Sequence, residues 1–225
     1  MTYDDLLGEL DALSEEKFRA FTVRLLNTGR RVLGVRTPAL RSLAKRVRAC
    51  FPDFIPEFFA RSEVTHEEVL IAGWQTGKDY GENIRLLLRL IPLMDSWAQT
   101  DQVIGRFGWA KDKTRLVRDF ERFILGGEYE KRAFVVMLMT NCMDAENFRL
   151  IEEYLPRVPF GEYYVDMAAA WLLCEAVLRF PERGNALLAS PFVTPSLRKK
   201  NGSKMRDSLR SRRHTAAKEL QNTRD

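Results

Sequence analysis

Trp97 and Asp101 stand four residues apart in Asp95-Ser96-Trp97-Ala98-Gln99-Thr100-Asp101. In a helix that spacing puts both side chains on one face. Asp95 or Ser96 would cap such a helix, each offering a side-chain oxygen to N–H groups left unpaired in the first turn. An indole plane beside a carboxylate suits a cation, or the positive charge that develops as a bond breaks. Alone, the pair has a plainer account: a core tryptophan, and an aspartate that meets solvent or an arginine. A second group is Tyr163-Tyr164 with Trp171. Seven residues is about two turns, so Tyr164 and Trp171 share a face, although aromatics on an apolar helix are ordinarily core. Arg132 opens an apolar segment, from which a guanidinium reaches either a phosphate or a carboxylate. Asp166 is a second acid or the partner of a nearby arginine.

Other chemistry is poorly supplied. His66 and His214 are the only histidines, and neither has a neighbouring Cys or His. A zinc site or a Cys-His nucleophile is therefore not expected, nor is any metal or cofactor. Cys50, Cys142 and Cys174 are widely separated among apolar residues, which predicts buried thiols in a reducing compartment. No apolar run approaches a membrane span of about 20 residues. The acidic start, Met1-Thr2-Tyr3-Asp4-Asp5, lacks the order of a signal peptide, so a cytoplasmic monomer is expected. The net charge is +5, and it is concentrated. Residues 198–213 hold Arg198, Lys199, Lys200, Lys204, Arg206, Arg210, Arg212 and Arg213 against Asp207 alone. Such a stretch suggests a polyanion partner, or a solvated helix that aids solubility.

The elements that must position these residues all read as helices. Leu6, Leu7, Leu10 and Leu13 recur at helical spacing over 3–13. Ser14 is placed to cap a second helix whose apolar face runs from Phe18 through Phe21 and Val23 to Leu26. Thr37 caps a third, with Pro38 at the first helical position, where its missing N–H costs nothing. Further helices are predicted at 53–61, 65–77, 82–92, 96–108, 112–125, 129–142, 145–155 (capped by Asp144), 161–179 and 182–189, with a basic one at 195–212. No strand is convincing. Helix, short turn, helix, repeating every 30–45 residues, predicts an all-α solenoid of the HEAT or armadillo kind with a concave wall; a globular helical bundle is the alternative. One domain over residues 1–213 and a polar tail over 214–225 are expected.

In this order the motifs resemble the AlkD-like family of DNA alkylation repair glycosylases, over nearly the whole chain. Leu33-Gly34-Val35-Arg36-Thr37-Pro38-Ala39-Leu40-Arg41 is similar to that family's Leu-Gly-(Ile/Val)-x-Thr-Pro-x-x-Arg. Trp97 and Asp101 fall where the family's catalytic Trp-Asp pair lies. Lys131-Arg132-Ala133 resembles its Arg-Ala helix start, where the Arg contacts DNA. Tyr163-Tyr164-Val165-Asp166-Met167-Ala168-Ala169-Ala170-Trp171 resembles the segment that carries its second active-site Trp. The basic 198–210 stretch resembles its C-terminal helix.

The resemblance implies hydrolysis of the N-glycosidic bond of cationic alkylated purines, N3-methyladenine and N7-methylguanine, in double-stranded DNA, as in base excision repair. It implies a HEAT-like solenoid that cradles the duplex. Asp101, Trp97 and Trp171 are then the catalytic residues. Arg132, Tyr163, Tyr164, Arg198, Lys199, Lys200, Lys204 and Arg206 contact DNA. The chain departs from the family pattern at Met167, where a basic residue is usual, at Asp166 beside it, and at Ala170 in place of Gly. Those departures keep a second reading open, a non-catalytic protein that binds DNA by duplex shape or branching. A protein-binding solenoid is a third.

Overall fold

The computed structural model describes the backbone of residues 1–222 and the side chains of residues 1–208. The expected tail at 214–225 therefore lies outside the described side chains. The helices are α1 (Tyr3–Ala12), α2 (Glu16–Leu25), α3 (Thr37–Cys50), α4 (Phe54–Ala60), α5 (His66–Gly73), α6 (Tyr80–Leu90), α7 (Trp97–Val103), α8 (Lys113–Phe120), α9 (Glu128–Asn141), α10 (Phe148–Tyr154), α11 (Tyr163–Arg179), α12 (Pro181–Ala189) and α13 (Pro195–Asn222). Short 3-10 turns follow α6, α8 and α10. Among the described residues there is no β-strand, only an isolated bridge between Ser14 and Val35.

The odd-numbered helices form one continuous row. α3 packs on α5, α5 on α7, α7 on α9, α9 on α11 and α11 on α13. α4 and α6 flank α5, α8 and α10 flank α9, and α12 flanks α11. This is the stacked-pair architecture of a helical-repeat solenoid. The row's middle is its driest part. Every residue of α9 from Arg132 to Met139 is buried, as is most of α11 between Val165 and Ala176. A helix that is apolar all round must be covered on all sides, and here neighbouring rungs cover it.

The Leu33-Gly34-Val35 motif has a packing cause. Glu67, buried at the start of α5, accepts the backbone N–H groups of Leu33 (3.0 Å), Gly34 (2.8 Å) and Val35 (3.4 Å). Gly34 has φ +86°, and a Cβ there would lie 2.6 Å from the Arg19 backbone nitrogen. Only glycine fits a left-handed position that tight. α5 and α7 also meet closely, since a Cβ on Gly73 would run into the Val103 side chain at 2.3 Å.

Several local expectations are corrected. Ser14 does not cap α2; its hydroxyl donates to the Asp11 carbonyl. α2 buries none of its residues, and Phe21, Val23 and Leu25 are about half exposed, so its broad apolar face is not in the core. Thr37 is already helical and Arg36 precedes the helix, while Pro38 sits in the first turn as expected. α7 stops at Val103, short of the predicted 108, because Asn141 ties down the loop that follows. Asp144 does accept a backbone N–H, from Asn147, but α10 begins only at Phe148. α13 continues to Asn222 instead of stopping near 212. Cys142 and Cys174 are buried, but Cys50, at the end of α3, is exposed.

Candidate active site

A cavity of about 560 Å³ opens along four successive rungs of the row. α7 supplies Trp97 and Asp101, and α9 supplies Arg132. α11 supplies Tyr163, Tyr164, Met167 and Trp171, and α13 supplies Lys204. Residues up to 111 positions apart in the sequence, Trp97 and Ser208, thus meet because each rung contributes its side chains at one height of the stack.

α7 begins where Ser96 accepts the Gln99 N–H, so Ser96 is the cap. Asp95 is used elsewhere. It accepts the Thr28 hydroxyl at 2.8 Å and the Gly29 N–H at 3.0 Å, and so ties the α2–α3 link to the start of α7. One turn later Asp101 projects into the cavity. Arg132 grips it with a two-pronged fork: Nε donates to Oδ1 at 2.9 Å and Nη2 donates to Oδ2 at 2.7 Å. Nη1 of the same guanidinium donates to the Tyr164 carbonyl at 2.7 Å. Arg132 is buried at 5% exposure, whereas the Asp101 side chain keeps 19%. The fork is thus a rigid base, and the carboxylate is its accessible face. A carboxylate offers about four lone-pair directions; the arginine fills two of them, and the Thr100 hydroxyl lies 3.3 Å from Oδ1. The remainder can accept from a water or face a positive charge.

The first turn of α9 also sets the first turn of α11. Glu128 accepts the Tyr164 N–H at 2.7 Å, Lys131 pairs with Glu162, and Arg132 holds the Tyr164 carbonyl. The Tyr163 and Tyr164 rings meet edge-on, with centroids 5.0 Å apart. Tyr164 also packs on Tyr129, at 5.4 Å. Burial pushes the Tyr129 hydroxyl up to about 12, so it stays protonated near neutrality. Tyr163 and Trp171 are 60% and 38% exposed. The ordinary account of aromatics on an apolar helix, core packing, therefore fails for both: they are ring faces presented to the cavity.

Asp166 is not a second acid of the site. It is buried, accepting the Gly161 N–H at 2.9 Å and the Lys200 ammonium at 2.7 Å. Lys200 is thereby committed to α11 and does not line the cavity. Arg198, Lys199 and Arg206 do not line it either; all three are solvent-exposed, and Arg206 donates to the Ser203 hydroxyl. Lys204 is the expected basic residue of α13 that does reach the wall, together with Asp207 and Ser208. Glu175 was not singled out from the sequence. It stands one turn after Trp171 on the same face, and that spacing was the available signal. Among the described residues no group of three or more His, Cys, Asp or Glu side chains is arranged to hold a metal. No described helix is long and apolar enough to cross a membrane.

A family model described as DNA alkylation repair enzyme matches residues 6–119. The matched half runs from within α1 almost to the end of α8, and contains Trp97 and Asp101. Arg132, the tyrosine pair, Trp171 and the basic helix lie beyond it. None of the curated proteins matches the chain.

Proposed function

The chain belongs to the DNA alkylation repair enzyme family, and we propose that within it the protein is a DNA glycosylase acting on cationic alkylated purines in double-stranded DNA. The observation that carries this reading is the Asp101 carboxylate, fixed by Arg132 inside a cavity that Trp97 and Trp171 also line. N3-methyladenine and N7-methylguanine already bear positive charge, so they leave without prior protonation. The C1′–N bond breaks, its electron pair passes to the purine, and the sugar becomes oxocarbenium-like. Water then bonds to C1′ and loses a proton. Asp101 faces that developing charge and orients the water; a preorganised group of this kind accounts for about 10²–10³-fold in rate. Trp97, Trp171 and the tyrosine pair offer ring faces to the cationic nucleotide, worth about 1 kcal/mol or more where water is excluded. Arg132 keeps the carboxylate paired and aimed.

Positive charge extends along the row. At the other end Arg41, Lys45 and Arg48 stand at helical spacing on α3 around a cavity of about 400 Å³, with Arg41 4.3 Å from the Trp74 ring centroid. Lys204, with Arg198, Lys199 and Arg206 on the same helix, supplies it at the catalytic end. Contacts of this sort hold phosphates and give salt-dependent affinity, not sequence choice. The domain on this reading is the single stack over 1–213.

The test is release of N7-methylguanine or N3-methyladenine from methylated duplex. Wild type is expected to release one or both, and Asp101→Asn to slow release at least 100-fold while still binding DNA. No release at enzyme excess would leave the second reading, a non-catalytic DNA-binding member. What favours that second reading is the engagement of both Asp101 oxygens by Arg132. It expects Asp101→Asn to change nothing but stability.

A further inference from the structure

A second cavity, about 410 Å³, continues from the first past Trp171 and Glu175, which line both. Its other walls bring Arg106, Lys113 and Arg179 together with Thr140 and Asp144. The geometry points to a built subsite for one phosphodiester of the DNA backbone flanking the lesion, with Lys113 and Arg106 as its ligands. The inference rests on DNA being the substrate; it does not depend on the glycosylase chemistry.

Four observations support it. Neither Lys113 nor Arg106 has a carboxylate within ion-pair distance among the described residues, whereas Arg179 is already bridged to Glu175 at 3.2 Å. The one hydrogen bond of the Lys113 ammonium is a long 3.4 Å contact to the Phe107 carbonyl. Second, the loop carrying Arg106 is fixed. Buried Asn141 accepts the Phe107 N–H at 2.8 Å and donates to the Gly105 carbonyl at 3.0 Å, and the Thr140 hydroxyl donates to that carbonyl at 3.1 Å. A loop held on both sides of Arg106 has already lost the freedom that binding would otherwise cost. Third, the charges leave one place vacant. Arg106, Lys113 and Arg179 face Asp144 and Glu175, a net of one positive charge. A phosphodiester carries one negative charge. Fourth, the ammonium is partly desolvated: burial, ahead of its cationic neighbours, pushes the Lys113 pKa down. A charged amine whose nearest acid, Asp144, makes no ion pair with it is costly to hold in such a place, and an anion beside it lowers the cost. Because Trp171 separates this cavity from the one holding Asp101, the phosphate would belong to a nucleotide next to the one being processed.

Salt dependence of binding tests this without needing turnover. On undamaged duplex, log K against log salt falls by about 0.9 for each phosphate engaged. Lys113→Met is expected to lower the slope by about one unit, and Lys113→Arg to restore it. Lys78→Met, in the exposed link before α6, should leave it unchanged. Thermal melting of each variant confirms that the fold is intact. Inorganic phosphate, titrated at constant ionic strength, separates a backbone site from a site for the free anion. The backbone site predicts no saturable, Lys113-dependent loss of duplex binding. A saturable loss overturns the assignment, as does a slope that Lys113→Met leaves alone. Base release failing while the slope changes would count against the glycosylase reading alone.

Discussion

Asp101 and Arg132 have to be understood as one unit. The fork has geometry as well as charge: two parallel N–H···O bonds to the carboxylate and a third to the Tyr164 carbonyl. Lysine would keep the charge but could not make all three contacts, because an ammonium is a compact point charge and a guanidinium a planar fork. Arg132→Lys is therefore expected to leave Asp101 facing a cation but loosely held. Base release should fall about 10-fold or more, since a misplaced catalytic group loses much of its effect. Stability should fall by about 1–3 kcal/mol, from a buried acceptor left unpaired on the Tyr164 carbonyl. Urea titration reads the second effect as a lower midpoint at unchanged slope, and single-turnover release reads the first. If Arg132→Lys lost stability but no rate, the fork would be structural and Asp101 would aim itself. The sequence named Arg132 with phosphate and carboxylate as equal candidates. It could not decide between them, because Asp101 lies 31 residues away on the next rung, and only the stacking of α7 on α9 brings the two together.

At the scale of the element, α5 shows how much of the molecule is held from one helix start. Thr65 and Glu68 cap it reciprocally, Glu67 clamps the Leu33–Val35 loop, and Glu68 accepts the Tyr3 hydroxyl at 2.6 Å, which secures α1. His66 sits among these, 4% exposed. Burial pushes its pKa down, against the opposing pull of Glu67 and Asp95 and with Arg30 adding to the fall. The sign follows. The folded chain keeps the imidazole neutral, while the unfolded chain binds a proton below the ordinary value of about 6.5. The unfolded state then holds more protons, so stability drops as pH falls below about 6.5, by up to about 1.4 kcal/mol per pH unit until the folded form also protonates. Urea unfolding at pH 7.5 and pH 5.5 should show this loss in wild type and a smaller one in His66→Asn. Equal losses would mean that another group titrates. Hydrophobic spacing made the existence of these helices legible, and the Leu-Gly motif flagged the clamped loop. Caps were read less well. Ser14 and Asp95 have capping chemistry, but their side chains are taken by partners that only the packed structure supplies, and Thr37 lies one residue inside its helix. α2 was misread for a related reason: apolar spacing marks a face, but not whether a neighbour covers it.

For the whole molecule, the question is what keeps the last rung on the stack, since α13 brings Lys204 to the cavity that holds Asp101. Leu197 is fully buried against the core, and the Asn201 amide donates to the Ala170 carbonyl at 3.1 Å. The third tie is Lys200 on Asp166, itself 1% exposed. From the sequence, Asp166 read as a second acid or as the partner of a nearby arginine. In the fold it is an internal anchor that draws one basic residue out of the set expected to contact DNA and uses it to dock the helix bearing the others. A buried carboxylate stripped of its partner is expensive, whereas a buried pair replaced on both sides by apolar groups is often neutral. Lys200→Met should therefore cost about 3 kcal/mol, and Asp166→Leu with Lys200→Met much less than the two single changes combined. DNA affinity should track the docking and not the lost lysine: weakened in Lys200→Met, largely recovered in the double variant although that variant still lacks the Lys200 charge. Urea titration and duplex binding on the three variants complete the cycle. If Lys200→Met keeps full stability and loses affinity, and the double variant does not recover it, Lys200 contacts phosphate itself, and the apolar seam around Leu197 docks α13 unaided.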